Sequence, residues 1–299
     1  MRAQIQFLPD GKRLHMQDGP IDLIVEAFGD SREVQTAYDA ASRRFISVLD
    51  ELCSELPLLR AQVRGGSPKP SGPVAKRMFE AVLPYAERTF ITPMAAVAGA
   101  VAEEILETMT AAAKLARTYV NDGGDIAIHL SPREQFVIGM VERPDRPSLF
   151  GTATLDWSAN VRGIATSGWP GRSFSSGIAD AVTVLAEHAT MADAAATIIA
   201  NAVDLPGHPL VVRVPACSLD PNTDLGERLV TQDVGDLSDE DMNCALGNGI
   251  ETAQRLRSEG LINSAALNLK GRTRIVAAES AAPTAFSPRL NLRKAHVCA

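Results

Sequence analysis

Between residues 118 and 186 the chain offers strand-like stretches in close succession, at 118–120, 125–129, 135–141, 151–155, 163–167 and 181–186. β-Branched and small apolar residues fill them, and breaks rich in Gly, Pro, Asn and Asp separate them. The last, Ala181-Val182-Thr183-Val184-Leu185-Ala186, is apolar nearly throughout, as a strand covered on both faces must be. A middle this crowded has to build a sheet, while segments of helical period stand before and after it. The reading is one α+β domain over residues 1–278, a largely antiparallel sheet flanked by helices. A disordered tail rich in Ala, Pro, Ser and basic residues is expected over 279–299.

The flanks can be read the same way. Residues 3–28 alternate apolar and polar around Pro9-Asp10-Gly11, which predicts a hairpin and then a strand over Ile21–Ala27. With Ser31 as N-cap, the spacing of Phe45, Val48, Leu49, Leu52 and Leu56 predicts a helix to about Val63. A linker, GGSPKPSGPVAK, precedes a short helix over Met78–Ala86. The Ala- and Gly-rich run Ile91–Met109 predicts a closely packed helix with Pro93 in its first turn. After the sheet come a helix over Thr190–Val203, a strand at 210–214, a long loop over 215–238 and a helix over 239–258. A hairpin across Lys270-Gly271-Arg272 closes the domain.

Charge and composition narrow the partners. The chain has 299 residues, enough for a sizeable core, and a formal net charge of -7 with no dense block of Lys and Arg. With 5% aromatic residues it also has no base-stacking platform, so a nucleic-acid partner is disfavoured. The N-terminus MRAQIQFLPDGKRLHMQ has no apolar stretch of signal-peptide type, and the Ala-rich runs are interrupted by acids, so neither secretion nor a membrane span is expected. Cys53, Cys217, Cys244 and Cys298 form no C-x-x-C pair, and the histidines no H-x-x-x-H, which speaks against a zinc site. The expectation is a soluble protein of the reducing cytoplasm; a homo-oligomer is compatible with it.

Three constellations could carry chemistry. In Asn121-Asp122-Gly123-Gly124-Asp125 the paired glycines let backbone approach a ligand and offer N–H groups to a phosphate. The same residues equally serve a tight turn with acids facing water. In Arg162 to Ser173, Thr166, Ser167 and Gly168 supply small donors, and Arg172 and Ser173 could hold a phosphate or carboxylate; a glycine-rich hairpin with a solvated Arg is the alternative. In Thr190 to Thr197, Asp193 and Thr197 share one helix face, a hard oxygen pair suited to Mg2+. There Thr190 and Asp193 also have the spacing of a capping box.

In this order and spacing the segments resemble the ApbE family, the FAD:protein FMN transferases. The resemblance rests on Val97-Ala98-Gly99, Gly123-Gly124-Asp125, Ala165-Thr166-Ser167-Gly168, Val182 to Ala186 and Ala192 to Thr197. Pro93 to Gly99, Gly171 to Ser175, Gly177 to Asp180 and Asp220-Pro221 with Asp224-Leu225-Gly226 are similar to a separate, largely uncharacterised UPF branch of that superfamily. The resemblance implies a T-fold-related domain that binds FAD or FMN, or another phosphorylated small molecule. It implies Mg2+ held by Asp193, Thr197 and a backbone carbonyl near Val97, and a transferase activity. The A-K-G lysine of the transferases is Ala98 here. Relatives in the branch are linked to sulfide assimilation and homocysteine formation, which implies a second function, sulfur transfer through Cys53 and Cys217 as thiolates. A non-catalytic binding protein is the third.

Overall fold

The computed structural model describes residues 2–141 and 149–277, together with the two-residue strands Phe286–Ser287 and Val297–Cys298. The rest of the expected tail over 279–299 lies outside the described residues. In chain order the strands are β1 Gln4–Phe7, β2 Leu14–Asp18, β3 Ile21–Phe28, β4 Arg117–Asp122, β5 Asp125–Leu130, β6 Gln135–Val141, β7 Leu149–Asp156, β8 Gly163–Ser167, β9 Ala181–Ala186, β10 Val211–Pro215, β11 Leu229–Val234, β12 Ser264–Leu269 and β13 Arg272–Val276. The helices are α1 Ser31–Ser54, α2 Leu56–Leu59, α3 Pro73–Val82, α4 Val97–Ala112, α5 Ala189–Ala202, α6 Ala216–Leu219 and α7 Asp239–Ser258.

Nine strands form one sheet in the order β1-β2-β3-β4-β5-β8-β9-β12-β13, and every neighbouring pair is antiparallel. The α+β class with a largely antiparallel sheet is therefore the observed one. Strand alternation distributes the core over both faces. Val120, Ala127 and Leu23 pack under α1 and α4; Val182, Val184, Ala265 and Leu267 pack under α5 and α7. Tyr119, Ile126, Ile128, Ile164 and Leu185 point the other way and meet Phe136, Ile138 and Leu155 of the β6–β7 hairpin. The middle strands are thus covered twice, which is why β9 is buried at every position. Among the described residues no helix is long and apolar enough to cross a membrane.

Local chemistry moved several element ends. Asp30, not Ser31, is the N-cap of α1, accepting the Arg32 N–H at 2.9 Å. The helix stops at Ser54 rather than near Val63, because Pro57 has no N–H to offer the preceding turn. Pro73 stands at the start of α3, inside the expected linker, and Pro84 ends it at Val82. The expected loop over 215–238 holds α6 and β11; β11 pairs with β10 in a separate ribbon, with Val211 opposite Val234.

The crossing of α4 and α5 is tightly packed. A Cβ on Gly99 would lie 2.5 Å from the Ala189 carbonyl oxygen, and one on Gly163 would lie 2.2 Å from the Ala189 nitrogen. Only glycine lets α4 and β8 close on the start of α5 like this. The two helices cap one another there. Gly99 N–H of α4 donates to Asp193 Oδ2 of α5 at 3.0 Å. Ala189 N–H of α5 donates to Glu103 Oε1 of α4 at 2.9 Å, and the Thr190 hydroxyl donates to Glu103 Oε2. The expected Thr190–Asp193 capping box does not form: His188 is the N-cap residue, with no side-chain cap bond, and Glu103 from the neighbouring helix takes that role.

Candidate functional site

The β4–β5 hairpin turns on Gly123 (φ +64°) and Gly124 (φ +115°), whose positive φ suits a two-residue turn. Gly124 N–H donates to Asn121 Oδ1 at 2.8 Å. This turn sets Asp122 directly opposite Asp125 across the ladder. Two like charges opposite one another destabilise a sheet unless something offsets them. A Cβ on Gly123 would sit 3.4 Å from Arg172 Nη1, so the arginine reaches over the turn. Asp125 Oδ1 accepts the Thr166 N–H at 3.1 Å, tying the hairpin to β8. Beyond β8 the chain bends at Gly168, where a Cβ would lie 2.3 Å from the Asp180 carbonyl oxygen, and so presents Arg172 and Ser173.

Around these residues lie two chambers. The larger, about 960 Å³, is lined by Gly123, Gly124, Thr166, Ser167 and Gly168 at its polar end, and by Leu49, Leu52, Leu56, Leu59 and Met78 at its apolar end. The smaller, about 810 Å³, is lined by segments 88–95 and 220–230 together with α5. Val97, Asp125, Arg172, Ser173, Asp193 and Thr197, with Arg60, Met94 and Ala98, line both and form the waist between them. Cys53 is exposed at the larger chamber. Cys217 lines neither; its Sγ–H donates to Glu227 Oε1 at 3.1 Å, and that carboxylate raises the thiol pKa, opposite to the direction sulfur chemistry needs.

The electrostatics of the waist follow from burial and like charge. Asp122 is pushed up to about 8, first by burial and then by Asp125 and Asp22, with Arg172 pulling the other way. Asp125 is raised well above the carboxylate range, first by burial and then by the charge of Asp193. Asp193 is raised by burial and by Asp122, while the N–H groups of Gly99 and Ala98 hold its charged form. Such a concentration of carboxylates beside a Thr hydroxyl is a donor set that fits a hard cation. Among the described residues no group of three or more His, Cys, Asp or Glu could hold a metal ion. A cation there would therefore need the Thr197 hydroxyl, backbone oxygen, water or ligand phosphate to complete its shell, as Mg2+ commonly does.

Asp122 and Glu103 were not among the residues singled out as site residues. Asp122 could have been found from the turn: a Gly-Gly hairpin flanked by acids forces them into register. Glu103 gives no sequence signal, because its partners lie 85–87 positions away.

The raised carboxylates have a measurable consequence. Asp122 moves from 3.8 to about 8, so between those values the folded chain binds more protons than the unfolded one. Stability must then fall as pH rises through that window. His188, raised by Glu103, adds the same sign. We expect the metal-free protein to lose about 1–2 kcal/mol between pH 6 and 8, and Asp122→Asn to flatten much of that slope in urea titrations. A slope unchanged by Asp122→Asn would assign the effect to Asp125, Asp193 or His188 instead.

A nine-stranded antiparallel sheet with helices on one face, and carboxylates and an arginine at the waist of a double cavity, make this an α+β protein with a charged cleft. The chain belongs to the family described as AbpE bacteria, whose family model matches residues 5–275. It is 36% identical over 173 residues to the UPF0280 protein of Methanopyrus kandleri, covering 58% of this chain and 67% of that one. It is 41% identical over 133 residues to the UPF0280 protein of Archaeoglobus fulgidus, covering 44% of this chain and 51% of that one; the chain thus spans about half the length of that relative. The flavin transferase ApbE from Vibrio cholerae aligns over 95% of this chain and 100% of its own at 12% identity, with a TM-score of 0.38. The flavinyl transferase ApbE of Pseudomonas stutzeri aligns over 93% and 94% at 10% identity, with a TM-score of 0.40.

Proposed function

We propose that this protein binds a flavin nucleotide, FAD or FMN, or another phosphorylated small molecule of that size, together with Mg2+. The observation that carries the reading is the waist, where Arg172 and the Gly123-Gly124 turn stand beside Asp125, Asp193 and Thr197. Arg172 and Ser173 bind the phosphate, with the fork of the guanidinium matching its oxygens. Asp193 and Thr197, with the Val97 carbonyl, hold Mg2+, which when bound neutralises phosphate charge and makes a pyrophosphate open to attack. The apolar end of the larger chamber takes a flat ring system, and its volume of about 960 Å³ suits such a ligand. Thr166 and Ser167 donate along the ligand, and Gly168 leaves room for it. Membership in the family supports a transferase-like activity, with FMN transfer as its most specific form.

Flavin fluorescence tests this directly. FAD and FMN titrated into the purified protein should bind with micromolar or tighter affinity, and Mg2+ should tighten that binding. By linkage, flavin must tighten Mg2+ binding by the same factor. No fluorescence change up to about a hundredfold above the micromolar range, with or without Mg2+, would remove the flavin reading.

A further inference from the structure

Beyond the waist, the smaller chamber has a chemistry of its own. Arg60, Arg88, Arg228 and Arg255 all line it, on a chain whose net charge is -7. Arg88 and Arg255 share a single carboxylate, Glu259, at 2.6 and 3.6 Å. Arg60 and Arg228 have no ion-pair partner among the described residues. Of the four acids that line the chamber, Asp125 and Asp193 stand at the waist, and Asp220 and Asp224 already accept hydrogen bonds. Asp220 Oδ1 accepts the Asn222 N–H at 2.8 Å, and Asp224 Oδ2 accepts the Thr92 hydroxyl.

Arg228 is also held in place. Its guanidinium carbon lies 3.5 Å from the centroid of the Phe90 ring. Stacking of that kind fixes the plane of the guanidinium and leaves its N–H edge to bind an oxyanion through two parallel hydrogen bonds. A surface arginine with no such platform would lose far more freedom on binding an anion. The chamber is about 810 Å³, within the range of a small-molecule site.

We propose that the smaller chamber is a second binding site, for a small molecule bearing a phosphate or carboxylate, with Arg228 and Arg60 as the groups that hold its oxyanion. Arg228 lines the smaller chamber alone, whereas Arg60, like Arg172, lines both chambers; it is Arg228 on its Phe90 platform that sets this site apart from the phosphate position at Arg172. Its occupant meets the ligand of the larger chamber at the waist, where the two lining sets join.

The test uses the full chain and two probes, inorganic phosphate and citrate, followed by calorimetry and by thermal shift. One of the two should bind the wild type, and which one does identifies the oxyanion as phosphate or carboxylate. Arg228→Gln and Arg60→Gln should each weaken that probe by about tenfold or more, the loss of a charge-assisted hydrogen bond. In an Arg172→Gln background, which removes the phosphate position at the waist, the probe should still bind and Arg228→Gln should still weaken it by about tenfold. Both arginines are exposed, so the variants should melt like the wild type. Binding of neither probe would overturn the proposal. So would binding lost in Arg172→Gln but kept in Arg228→Gln and Arg60→Gln, since the anion would then sit at the waist. Flavin titrations in the same variants keep the two readings apart. A protein that binds citrate or phosphate through Arg228 and never binds flavin retains this site and loses only the flavin assignment.

Discussion

Replacing Glu103 with alanine is expected to cost about 3–5 kcal/mol of stability, the usual result of breaking a buried, hydrogen-bonded charge network. Glu103 is 6% exposed. Its two oxygens accept from the Ala189 N–H, the Thr190 hydroxyl and His188 Nδ1, and Arg77 Nη1 stands 3.9 Å away. Burial works against its charged form, but the hydrogen bonds from His188 and Thr190 and the charge of Arg77 outweigh it and hold its pKa below the ordinary value. Alanine would leave the N-terminus of α5 without its acceptor, where Gly99 and Gly163 pack directly against Ala189. Glu103→Gln keeps an acceptor oxygen and should cost less, about 1–2 kcal/mol. The sign with pH also follows. A depressed carboxylate contributes stability above its unfolded value of 4.5, and that contribution is lost as pH falls through its folded value. Urea unfolding of both variants at pH 7 checks the magnitudes. A Glu103→Ala midpoint close to the wild type would mean that α5 does not depend on this cap.

How far the chain could be read depended on how local each signal was. The strands of the sheet announce themselves through alternation and through the unbroken apolar run of β9, because their burial is set by residues two positions apart. The β4–β5 turn was legible for the same reason: Gly-Gly between flanking strands asks for positive φ, and the register of Asp122 against Asp125 follows. Asp193 and Thr197 could be placed on one face of a helix from their spacing alone. Signals that depend on a distant partner were not legible. Thr190 and Asp193 have capping-box spacing, yet both are drawn to the facing helix: Asp193 completes the end of α4, and Thr190 bonds Glu103, the α4 residue that caps α5. Nothing in ATMADAAAT shows that Glu103 waits across the contact. β11 was hidden in an acidic, proline-containing segment because its pairing is with β10 alone, and only Val230, Thr231 and Val234 are buried. Arg60 and Arg228 lie 168 positions apart and line one chamber only because the fold brings them there.

Asp193 is the residue at which packing and the proposed chemistry can be separated, because its packing role rests on a hydrogen bond that a neutral amide oxygen can also accept. Oδ2 accepts the Gly99 N–H and so caps α4, where the helix dipole favours a negative group. In the proposed function the carboxylate also holds Mg2+. Asp193→Asn keeps an acceptor oxygen for Gly99 but removes the charge a hard cation needs. The variant should therefore fold. Above pH 7 it should be as stable as the metal-free wild type or more so, since burial and the charge of Asp122 already oppose the ionised form of Asp193. Its Mg2+ affinity should fall by about a hundredfold, the loss of about 2.7 kcal/mol. Flavin binding without Mg2+ should stay within about threefold of wild type, while its enhancement by Mg2+ disappears, as linkage requires when one partner of the coupling is gone. Asp193→Ala should lose both properties, with about 1–2 kcal/mol of stability going with the α4 cap. Titrations of flavin at several Mg2+ concentrations, with unfolding curves of the same samples, read all of these quantities. If Asp193→Asn kept the full Mg2+ enhancement, the carboxylate would be a helix cap and nothing more, and the cation would have to be sought at Asp122 and Asp125, the other carboxylates of the β4–β5 turn.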